Sequence, residues 1–459
     1  MKTLFASMAL LSTGWAKDVV IEINSKGIIT KLTSNSSYKS NYEQCNGPVL
    51  PGMPNVHSHV FQRMLAGLAE QKIESKKDTF WSWREKMYYL VNHLTPDQIH
   101  VIASQTYVEM LKSGYTSVGE FHYLHNNRDG APYQDIAEIS NYLIEAATYT
   151  GIGMTLLPVL YSWGGFGQTP LSQAQKRFSL SLDQYLNLIE KLYNQYRDSS
   201  KINVGFAPHS LRAVSPDLLD EIVKFQQKKY ENLPFHIHVA EQIQEVEQAL
   251  YYLKNRPIAW LLERYPVGNS WCFVHATHSS DNEINSLIRS KIIVGLCPTT
   301  EANLGDGLFS AHKYINQGGT MAIGSDSQIS INPIEELRWL EYGQRLINQQ
   351  RILLIGSDTS LALNLWKKSV EGGARALARS IGGLQVNNQA DLIILNNKNP
   401  NLYNKTYNQL IDSFIFSTNY NAVQDVMVSG KWVVKNFYHD KEEEIFEKFK
   451  GILLLYNGL

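Results

Sequence analysis

Four groups of histidine and acidic residues in this sequence could together bind a metal ion that activates water. In chain order these groups are His57 with His59, His236 and His238 with Glu241, His275, and Asp326. Residues two apart in a β-strand point to the same face, so a His-x-His pair can present two imidazoles to one ion. Zinc takes imidazole and carboxylate ligands, and a catalytic zinc keeps one position for water. One His-x-His pair is a weak signal, but the four groups together predict a mononuclear hydrolytic metal site.

Each group lies at the end of a short apolar run that predicts a β-strand. The eight candidate strands are Met53 to His59, Ser117 to Tyr123, Met154 to Leu160, Asn203 to Ala207, Pro234 to Ala240, Trp271 to Ala276, Ile292 to Cys297 and Thr320 to Ser325. Most lack polar alternation, as is typical of parallel strands buried on both faces. Amphipathic stretches such as Leu182 to Tyr196 separate them. The pattern predicts an α/β fold with a (β/α)8 barrel, and a doubly wound open sheet is the alternative. Barrels of this kind have their active sites at the carboxyl ends of the strands.

The two ends of the chain predict a second, smaller β-structure. Near the N-terminus, the pattern predicts two short strands joined by a turn in DVVIEINSKGIITKL. Near the C-terminus, a helical stretch follows Leu361, and the pattern then predicts strands in ADLIILN and VQDVMVSGKWVVKN. The Asn-rich segment 396–408 reads as a surface loop. The first residues, MKTLFASMALLSTGWA, imitate a secretory signal. Ser7 interrupts their apolar stretch and Thr13-Gly14 reads as a turn, which favours a first strand instead.

Composition excludes several classes of partner. The 459 residues carry 42 Lys and Arg against 43 Asp and Glu, a net charge of -1, which argues against a globally basic nucleic-acid binder. No apolar run reaches about 18 residues, so no membrane span is expected. The three cysteines, Cys45, Cys272 and Cys297, are too few for a disulfide framework.

The order of the metal-binding groups resembles that of the amidohydrolase superfamily, and His238-x-x-Glu241 resembles its deaminase branch. Longer segments resemble the formimidoylglutamate deiminase family, namely PGMPNVHSHVFQRMLAGLAE, FWSWREKMY, GEFHYLHN, APHSLRAVS, HIHVAEQ, CPTTEANLGDGLF and GSDSQISINPIEELRWLEYGQRL. The resemblance covers nearly the whole chain. It implies a TIM-like barrel of the metal-dependent hydrolase type over residues 51–388. It further implies a small β-sandwich built from residues 1–50 and 389–459, with the signal-like segment as a strand of a cytoplasmic protein.

The resemblance also implies the metal ligands, which are His57, His59, His238 and Asp326. Related enzymes with two metals use a carboxylated lysine on the fourth strand, but here that strand has no lysine after Lys201. We therefore expect one Zn²⁺ per subunit, although imidazole and carboxylate ligands leave Fe²⁺ or Mn²⁺ open. A bound ion would lower the pKa of water to near 7.

The implied reaction is the hydrolysis of N-formimidoyl-L-glutamate to N-formyl-L-glutamate and ammonia, in histidine degradation. Asp326 would accept the proton of water, Glu241 would shuttle a proton to the leaving nitrogen, and His275 would orient the attacking oxygen. Without the resemblance, Glu241 reads as a carboxylate favoured at a helix N-terminus.

The substrate carries two carboxylates, and planar bidentate recognition of a carboxylate favours arginine over lysine. The resemblance assigns Arg84 and Arg212 to these carboxylates, and further substrate contacts to Gln62, Tyr123 and His209. Without the resemblance, Arg84 reads as a helix-surface charge and Tyr123 as a packing residue at the barrel rim. Segments 62–80 and 161–180 could act as lids.

Three alternatives stay open from the residues. Deaminases of guanine or adenosine-type substrates and imidazolone-opening hydrolases share such a metal site, and the pair Arg84 and Arg212 is the feature that favours a small dicarboxylate over their substrates. A non-catalytic barrel that binds metal for structure is the third alternative, although structural zinc sites are usually closed and rich in sulfur. The family also suggests a homodimer.

Overall fold

The computed structural model of the chain describes residues 1–68, 70, 80–356, 360–418 and 422–456, with the backbone alone for 80–82. The strands are β1 Lys2–Leu11, β2 Gly14–Ile23, β3 Ile29–Thr33, β4 Glu43–Gln44, β5 Val49–Pro51, β6 Met53–Ser58, β7 Tyr115–His122, β8 Gly153–Leu160, β9 Ile202–Val204, β10 Ala207–Pro208, β11 Phe235–Val239, β12 Trp271–His275, β13 Ile293–Leu296, β14 Thr320–Ile323, β15 Leu392–Leu395, β16 Val423–Val428 and β17 Lys431–Val434. The predicted strands are therefore confirmed to within a few residues.

Helices alternate with the strands of the central region. They are α1 Phe80–Val91, α2 Pro96–Ser113, α3 Glu138–Thr150, α4 Leu182–Tyr196, α5 Pro216–Lys229, α6 Ile243–Leu253, α7 Pro257–Arg264, α8 Asp281–Ser290, α9 Pro298–Leu304, α10 Ala311–Asn316, α11 Pro333–Asn348, α12 Leu361–Ala376, α13 Tyr407–Ser417 and α14 Glu442–Leu455. Two 3-10 helices cover Val60–Leu65 and Gln173–Phe178. None of the helices in the described ranges is long and apolar enough to cross a membrane.

The central strands form a closed parallel barrel, which confirms the predicted architecture. One arc runs β10-β8-β7-β6 with β9 on β8, and the other runs β11-β12-β13-β14. Parallel bridges from Phe206 to Phe235 and from Ser58 to Asp326 join the two arcs at both seams. Strands β6, β7 and β8 are buried along their whole length, because the barrel interior covers one face and the helices cover the other.

The fourth barrel strand, predicted as one run, consists of the two short pieces β9 and β10. Gly205 lies between them, and a Cβ there would lie 2.7 Å from side-chain atoms of both Leu157 and Pro234. This close approach requires glycine and interrupts the regular ladder.

The chain termini form one mixed sheet beside the barrel, in the order β17-β16-β15-β5-β1-β2-β3 with β4 on β1. The signal-like segment is strand β1, paired with β2 from Lys2 opposite Ile23 to Leu11 opposite Gly14. Side chains from both termini, including Leu4 and Leu392, share a separate buried cluster. The small β-structure built from both ends is thus confirmed.

Candidate active site

One pocket at the carboxyl ends of the barrel strands gathers the residues predicted from the sequence. The predicted residues that line it are His59, Gln62, Arg84, Tyr123, His209, Arg212, His238, Glu241, His275 and Asp326. His57 completes the set, fully buried between His59 and His238. The pocket comprises about 580 Å³ of space, part of which is open to solvent. Strand ends that are far apart in sequence therefore meet, as the barrel requires.

The strands end in backbone conformations that are uncommon outside glycine. Ala240 after β11 has φ 51°, His275 and Ala276 at the end of β12 have φ 70° and 50°, and Asp326 after β14 has φ 47°. Such left-handed residues cost of order 1–3 kcal/mol and persist where the surrounding structure holds them. At Asp326 the backbone N–H donates to the His57 carbonyl at 2.9 Å. The three turns therefore store strain at the positions that carry the polar side chains.

Three imidazoles and one carboxylate converge at the inner end of the pocket. The Nε2 atom of His57 lies 3.2 Å from that of His59 and 3.0 Å from that of His238. Oδ1 of Asp326 lies 3.6 Å from His57 Nε2 and 3.4 Å from His59 Nε2. Ligand atoms that bind one zinc ion at about 2.0–2.2 Å are separated by roughly 3–4 Å from one another. Nε2 of His57 lies within 3.6 Å of a ligand atom from each of the other three residues, so an ion beside His57 could reach all four.

The hydrogen bonds of these rings provide an independent test of that fit. His59 Nδ1 donates to the Phe121 carbonyl at 2.8 Å, and His238 Nδ1 donates to the His209 carbonyl at 3.0 Å. Burial holds the pKa of His59 at about 3 and that of His238 well below its usual range, so both rings are neutral. Their Nε2 lone pairs then face the same region, an arrangement that a cation stabilises. The donor set fits a divalent metal.

His275 adjoins this cluster and is surrounded by acidic side chains. Its Nδ1 lies 3.2 Å from Oε1 of Glu301, and its Nε2 lies 3.9 Å from Glu241 and 3.8 Å from Asp326. Burial lowers the pKa of His275, but these three carboxylates outweigh burial and raise it to about 10. A cation among the same groups would act against that rise. Nδ1 of His275 thus faces Glu301, and its Nε2 faces the pocket beside Glu241 and Asp326.

Arg212 and Glu241 meet on one side of the pocket. Nη2 of Arg212 donates to Oε2 of Glu241 at 3.2 Å, and its Nε lies 3.8 Å from Oε2 of Glu245. The Arg212 side chain is 10% exposed. The pKa of Arg212 is raised: burial acts against the charge, but Glu245 and Glu241 outweigh it. Its charge is therefore held at the pocket wall beside the carboxylate that was predicted to move a proton.

The outer end of the pocket is formed by α1 and aromatic side chains. Arg84 lies on α1 and lines the pocket, with its guanidinium carbon 5.4 Å from the ring centre of Tyr88. Its reading as a plain helix-surface charge is therefore wrong. Gln62 Nε2 donates to the Tyr123 hydroxyl at 3.1 Å. Arginine, amide and phenol groups thus line the same pocket.

Of the two segments predicted as lids, the structure describes 161–180 in full and 62–80 in part. Within 62–80, residues 69 and 71–79 lie outside the described residues. Within 161–180, Gln175 donates to the hydroxyls of Tyr88 and Tyr161 at 3.1 and 3.0 Å, which ties this segment to α1. His236, named in the sequence together with His238 and Glu241, has its Nε2 2.7 Å from the Ala376 carbonyl and does not line the pocket, so it stands apart from the other histidines of the site.

Sequence reasoning missed several residues that support the site. They are Tyr88, Tyr161, Gln175, Glu245 and Glu301. Tyr161 directly follows β8, and Glu301 lies just past β13, so the strand-end rule could have found both. Glu245 lies in the first turn of α6, where an acidic residue is common for reasons unrelated to function.

Comparison with known proteins identifies the family. Residues 49–433 match the amidohydrolase family, and residues 1–44 match the N-terminal domain of formimidoylglutamate deiminase HutF. The chain is 44% identical over 454 residues to formimidoylglutamate deiminase of Pseudomonas aeruginosa, with 99% of each chain covered. The chain belongs to the amidohydrolase family. Within this family it groups with the formimidoylglutamate deiminases, as the sequence motifs predicted.

Solved amidohydrolase structures support the same fold. The crystal structure of an amidohydrolase from Brucella melitensis is 40% identical, with a TM-score of 0.94 over 99% of this chain and 100% of that chain. An adenosine deaminase from Xanthomonas campestris with bound zinc has a TM-score of 0.81 at 19% identity, over 99% of this chain and 98% of that chain. At that identity the likeness concerns the fold alone. The predicted metal-dependent hydrolase barrel is confirmed.

Proposed function

We propose that this amidohydrolase converts N-formimidoyl-L-glutamate and water to N-formyl-L-glutamate and ammonia, as a step of histidine degradation. The observation that carries the proposal is the pairing, in one pocket, of a cluster fit for a metal with two arginines, Arg84 and Arg212. The 44% identity to a formimidoylglutamate deiminase supports it. Planar guanidinium groups pair bidentately with carboxylates, of which this substrate carries two.

We propose that His57, His59, His238 and Asp326 hold one Zn²⁺ per subunit. The convergence of their ligand atoms and the neutral state of the rings support this set. A divalent ion there supplies Lewis-acid activation of water and of the formimino group. Iron and manganese accept the same donors, so metal analysis of the isolated protein decides the identity.

The chain's own residues move the protons. Asp326 accepts a proton as water adds to the formimino carbon, and its Oδ2 lies 3.8 Å from His275 Nε2. His275 donates a hydrogen bond toward the oxygen that gains charge. Glu241 carries one proton of the water to the terminal nitrogen, and the proton held by Asp326 follows as the C–N bond breaks, so that this nitrogen gains both protons of the water and leaves as ammonia. One water is consumed and the amidine becomes an amide.

The outer residues bind and orient the glutamate part of the substrate. Arg84 and Arg212 pair with its two carboxylates, and Gln62, Tyr123 and His209 add hydrogen bonds. These five residues line the same pocket, which supports this assignment. The hydrogen bond of 3.1 Å between Gln62 and Tyr123 also holds both of these side chains at the pocket wall. Binding at this end holds the formimino carbon at the inner cluster, so that remote binding energy serves the reaction.

A direct assay tests this proposal. Ammonia release is measured with N-formimidoyl-L-glutamate, guanine and a formamidine without carboxylates, each with the zinc-reconstituted protein. We expect turnover of the first and little of the other two. Equal or better turnover of guanine would contradict the proposal.

We further propose the division of the chain into a barrel of residues 51–388 and a small β-domain of residues 1–50 and 389–459. The end of β5 at Pro51 and the start of β15 at Leu392 support these limits. The family resemblance supports a homodimer and a cytoplasmic location. Light scattering and cell fractionation test these two points.

A further inference from the structure

The buried carboxylate of Glu245 holds the turn that presents Glu241 to the pocket. Its Oε1 accepts the backbone N–H of Ala240 at 3.1 Å, and its Oε2 accepts that of Glu241 at 3.3 Å. The Glu245 side chain is fully buried. Both N–H groups belong to residues that are themselves buried, so without this carboxylate they would lose their acceptors.

This turn needs such support because its backbone is strained. Strand β11 ends at Val239, and Ala240 has φ 51°, a conformation that alanine rarely adopts. Only Val239 and Ala240 lie between the predicted ligand His238 and Glu241. The direction in which Glu241 leaves the strand is therefore set by the Ala240 turn, and the turn is held by Glu245.

The same carboxylate also faces the arginine that we assign to the substrate. Oε2 of Glu245 lies 3.8 Å from Nε of Arg212, and Nη2 of Arg212 lies 3.2 Å from Oε2 of Glu241. Arg212 therefore lies between two carboxylates, of which Glu241 lines the pocket and Glu245 does not. When a substrate carboxylate pairs with Arg212 and competes with Glu241, Glu245 remains as the fixed counter-charge.

We propose that Glu245 is a positioning residue that fixes Glu241 and Arg212 relative to each other, and thereby links substrate recognition to proton delivery. The inference rests on the proposed function of the site. It assigns a role to a residue that touches neither substrate nor metal, and it predicts defects in both kcat and KM when the charge of Glu245 is removed.

Glu283 offers a matched control. It lies in the first turn of α8, after the next barrel strand, and its buried carboxylate accepts two backbone N–H groups, from Ser280 at 2.8 Å and Ala259 at 3.2 Å. It also pairs with an arginine, Arg256, at 2.8 Å. Glu283 does not line the pocket. A change here reproduces the structural loss without touching Glu241 or Arg212.

The experiment compares Glu245→Gln with Glu283→Gln in the zinc-reconstituted protein. For Glu245→Gln we expect kcat/KM on N-formimidoyl-L-glutamate to fall about 10- to 100-fold, with kcat lowered and KM raised. On a formamidine without carboxylates only the kcat defect should remain. The Kd of N-formyl-L-glutamate, measured by calorimetry, should rise about tenfold. Glu283→Gln should lower Tm to a similar extent and leave both kinetic constants within about twofold.

The inference is overturned if Glu245→Gln keeps the wild-type KM and Kd, or if it loses kcat/KM equally on both substrates. If Glu245→Gln does not fold, the double variant Ala240→Gly with Glu245→Gln replaces it, since glycine adopts the turn without strain. Failure of the wild type to release ammonia from N-formimidoyl-L-glutamate would instead refute the proposed function. Crystal structures of wild type and Glu245→Gln still decide the inference in that case: displaced Arg212 and Glu241 side chains support it, and unmoved ones overturn it.

Discussion

The inner and outer ends of the pocket are built in different ways. At the inner end, His57, His59, His238 and Asp326 lie in barrel strands or within three residues of a strand's end, and backbone carbonyls orient two of the rings. At the outer end, Arg84 lies on helix α1, which is tied to the 3-10 helix Gln173–Phe178 through side chains.

This difference separates two tasks. Activation of water needs ligand atoms placed within tenths of an ångström, and a closed barrel with buried strands provides such rigidity. Recognition of the glutamate part needs charge and shape, which helices and connecting segments can supply. Changes at the inner end should therefore abolish the reaction, whereas changes at the outer end should weaken binding.

The largest effect is expected at Asp326. Asp326→Asn removes the charge that faces the histidines and the group that accepts the proton of water. We expect zinc content to fall and kcat to fall about a thousandfold or more. The measurement is metal analysis together with steady-state ammonia release. The control is Asp391→Asn, at a buried aspartate outside the pocket, which should keep the zinc content and kcat of the wild type. A fall in kcat of less than about tenfold in Asp326→Asn would contradict the role of Asp326.

Glu241→Gln separates proton delivery from metal binding. The glutamine keeps the shape of the side chain but carries no titratable proton. We expect the zinc content of the wild type and a kcat lower by about 100- to 1000-fold. Full activity in this variant would refute the shuttle role and would place the whole reaction on the inner cluster.

Arg212→Lys tests the outer end. Lysine keeps the charge but loses the planar fork, so KM should rise about 10- to 100-fold while kcat changes less. Steady-state kinetics on N-formimidoyl-L-glutamate give both constants, and Arg256→Lys, an arginine outside the pocket, serves as the control. A large fall in kcat with an unchanged KM would mean that Arg212 acts only in the transition state.

The smallest effect is expected at Arg177, which donates a hydrogen bond to Val91, the last residue of α1. This fully buried side chain donates to the carbonyls of Val91, Leu94 and Asn126, so it holds the end of the helix that carries Arg84. Arg177→Met should raise KM about three- to tenfold and leave kcat on a carboxylate-free formamidine unchanged. A lower Tm with an unchanged KM would show that α1 keeps its place without this support. Arg379→Met is the control, because Arg379 is partly buried and also donates to a backbone carbonyl, that of Lys201, but lies outside the pocket.

Much of the fold followed from local signals in the sequence. Apolar runs without alternation marked the barrel strands, and the polar residues at their ends marked the pocket. The split of the fourth strand did not follow, because it depends on the tight packing of Gly205 against Leu157 and Pro234. The segment 396–408 was predicted as a loop, and α13 begins at its end, at Tyr407.

The sequence predicted the residues that line the pocket, but not the residues behind them that hold these side chains in place. The contact of Arg212 with Glu241 joins two strand ends and cannot be read from spacing alone. Glu245 and Glu301 bind backbone N–H groups and a histidine ring, and in the sequence they look like ordinary acidic residues near helix N-termini. Tertiary contacts decide such roles.

The central claim is that one pocket combines a metal-dependent hydrolytic end with an end that binds two carboxylates. The most direct test is the ratio of kcat/KM for N-formimidoyl-L-glutamate to that for a formamidine without carboxylates, measured by ammonia release with the zinc-reconstituted wild type. Two charge-assisted pairs between arginine and carboxylate are worth about 3–6 kcal/mol together, which predicts a ratio of roughly 100 to 10,000. After the metal is removed with a chelator, the enzyme should turn over neither substrate. A ratio near one, or equal turnover after removal of the metal, would contradict the account.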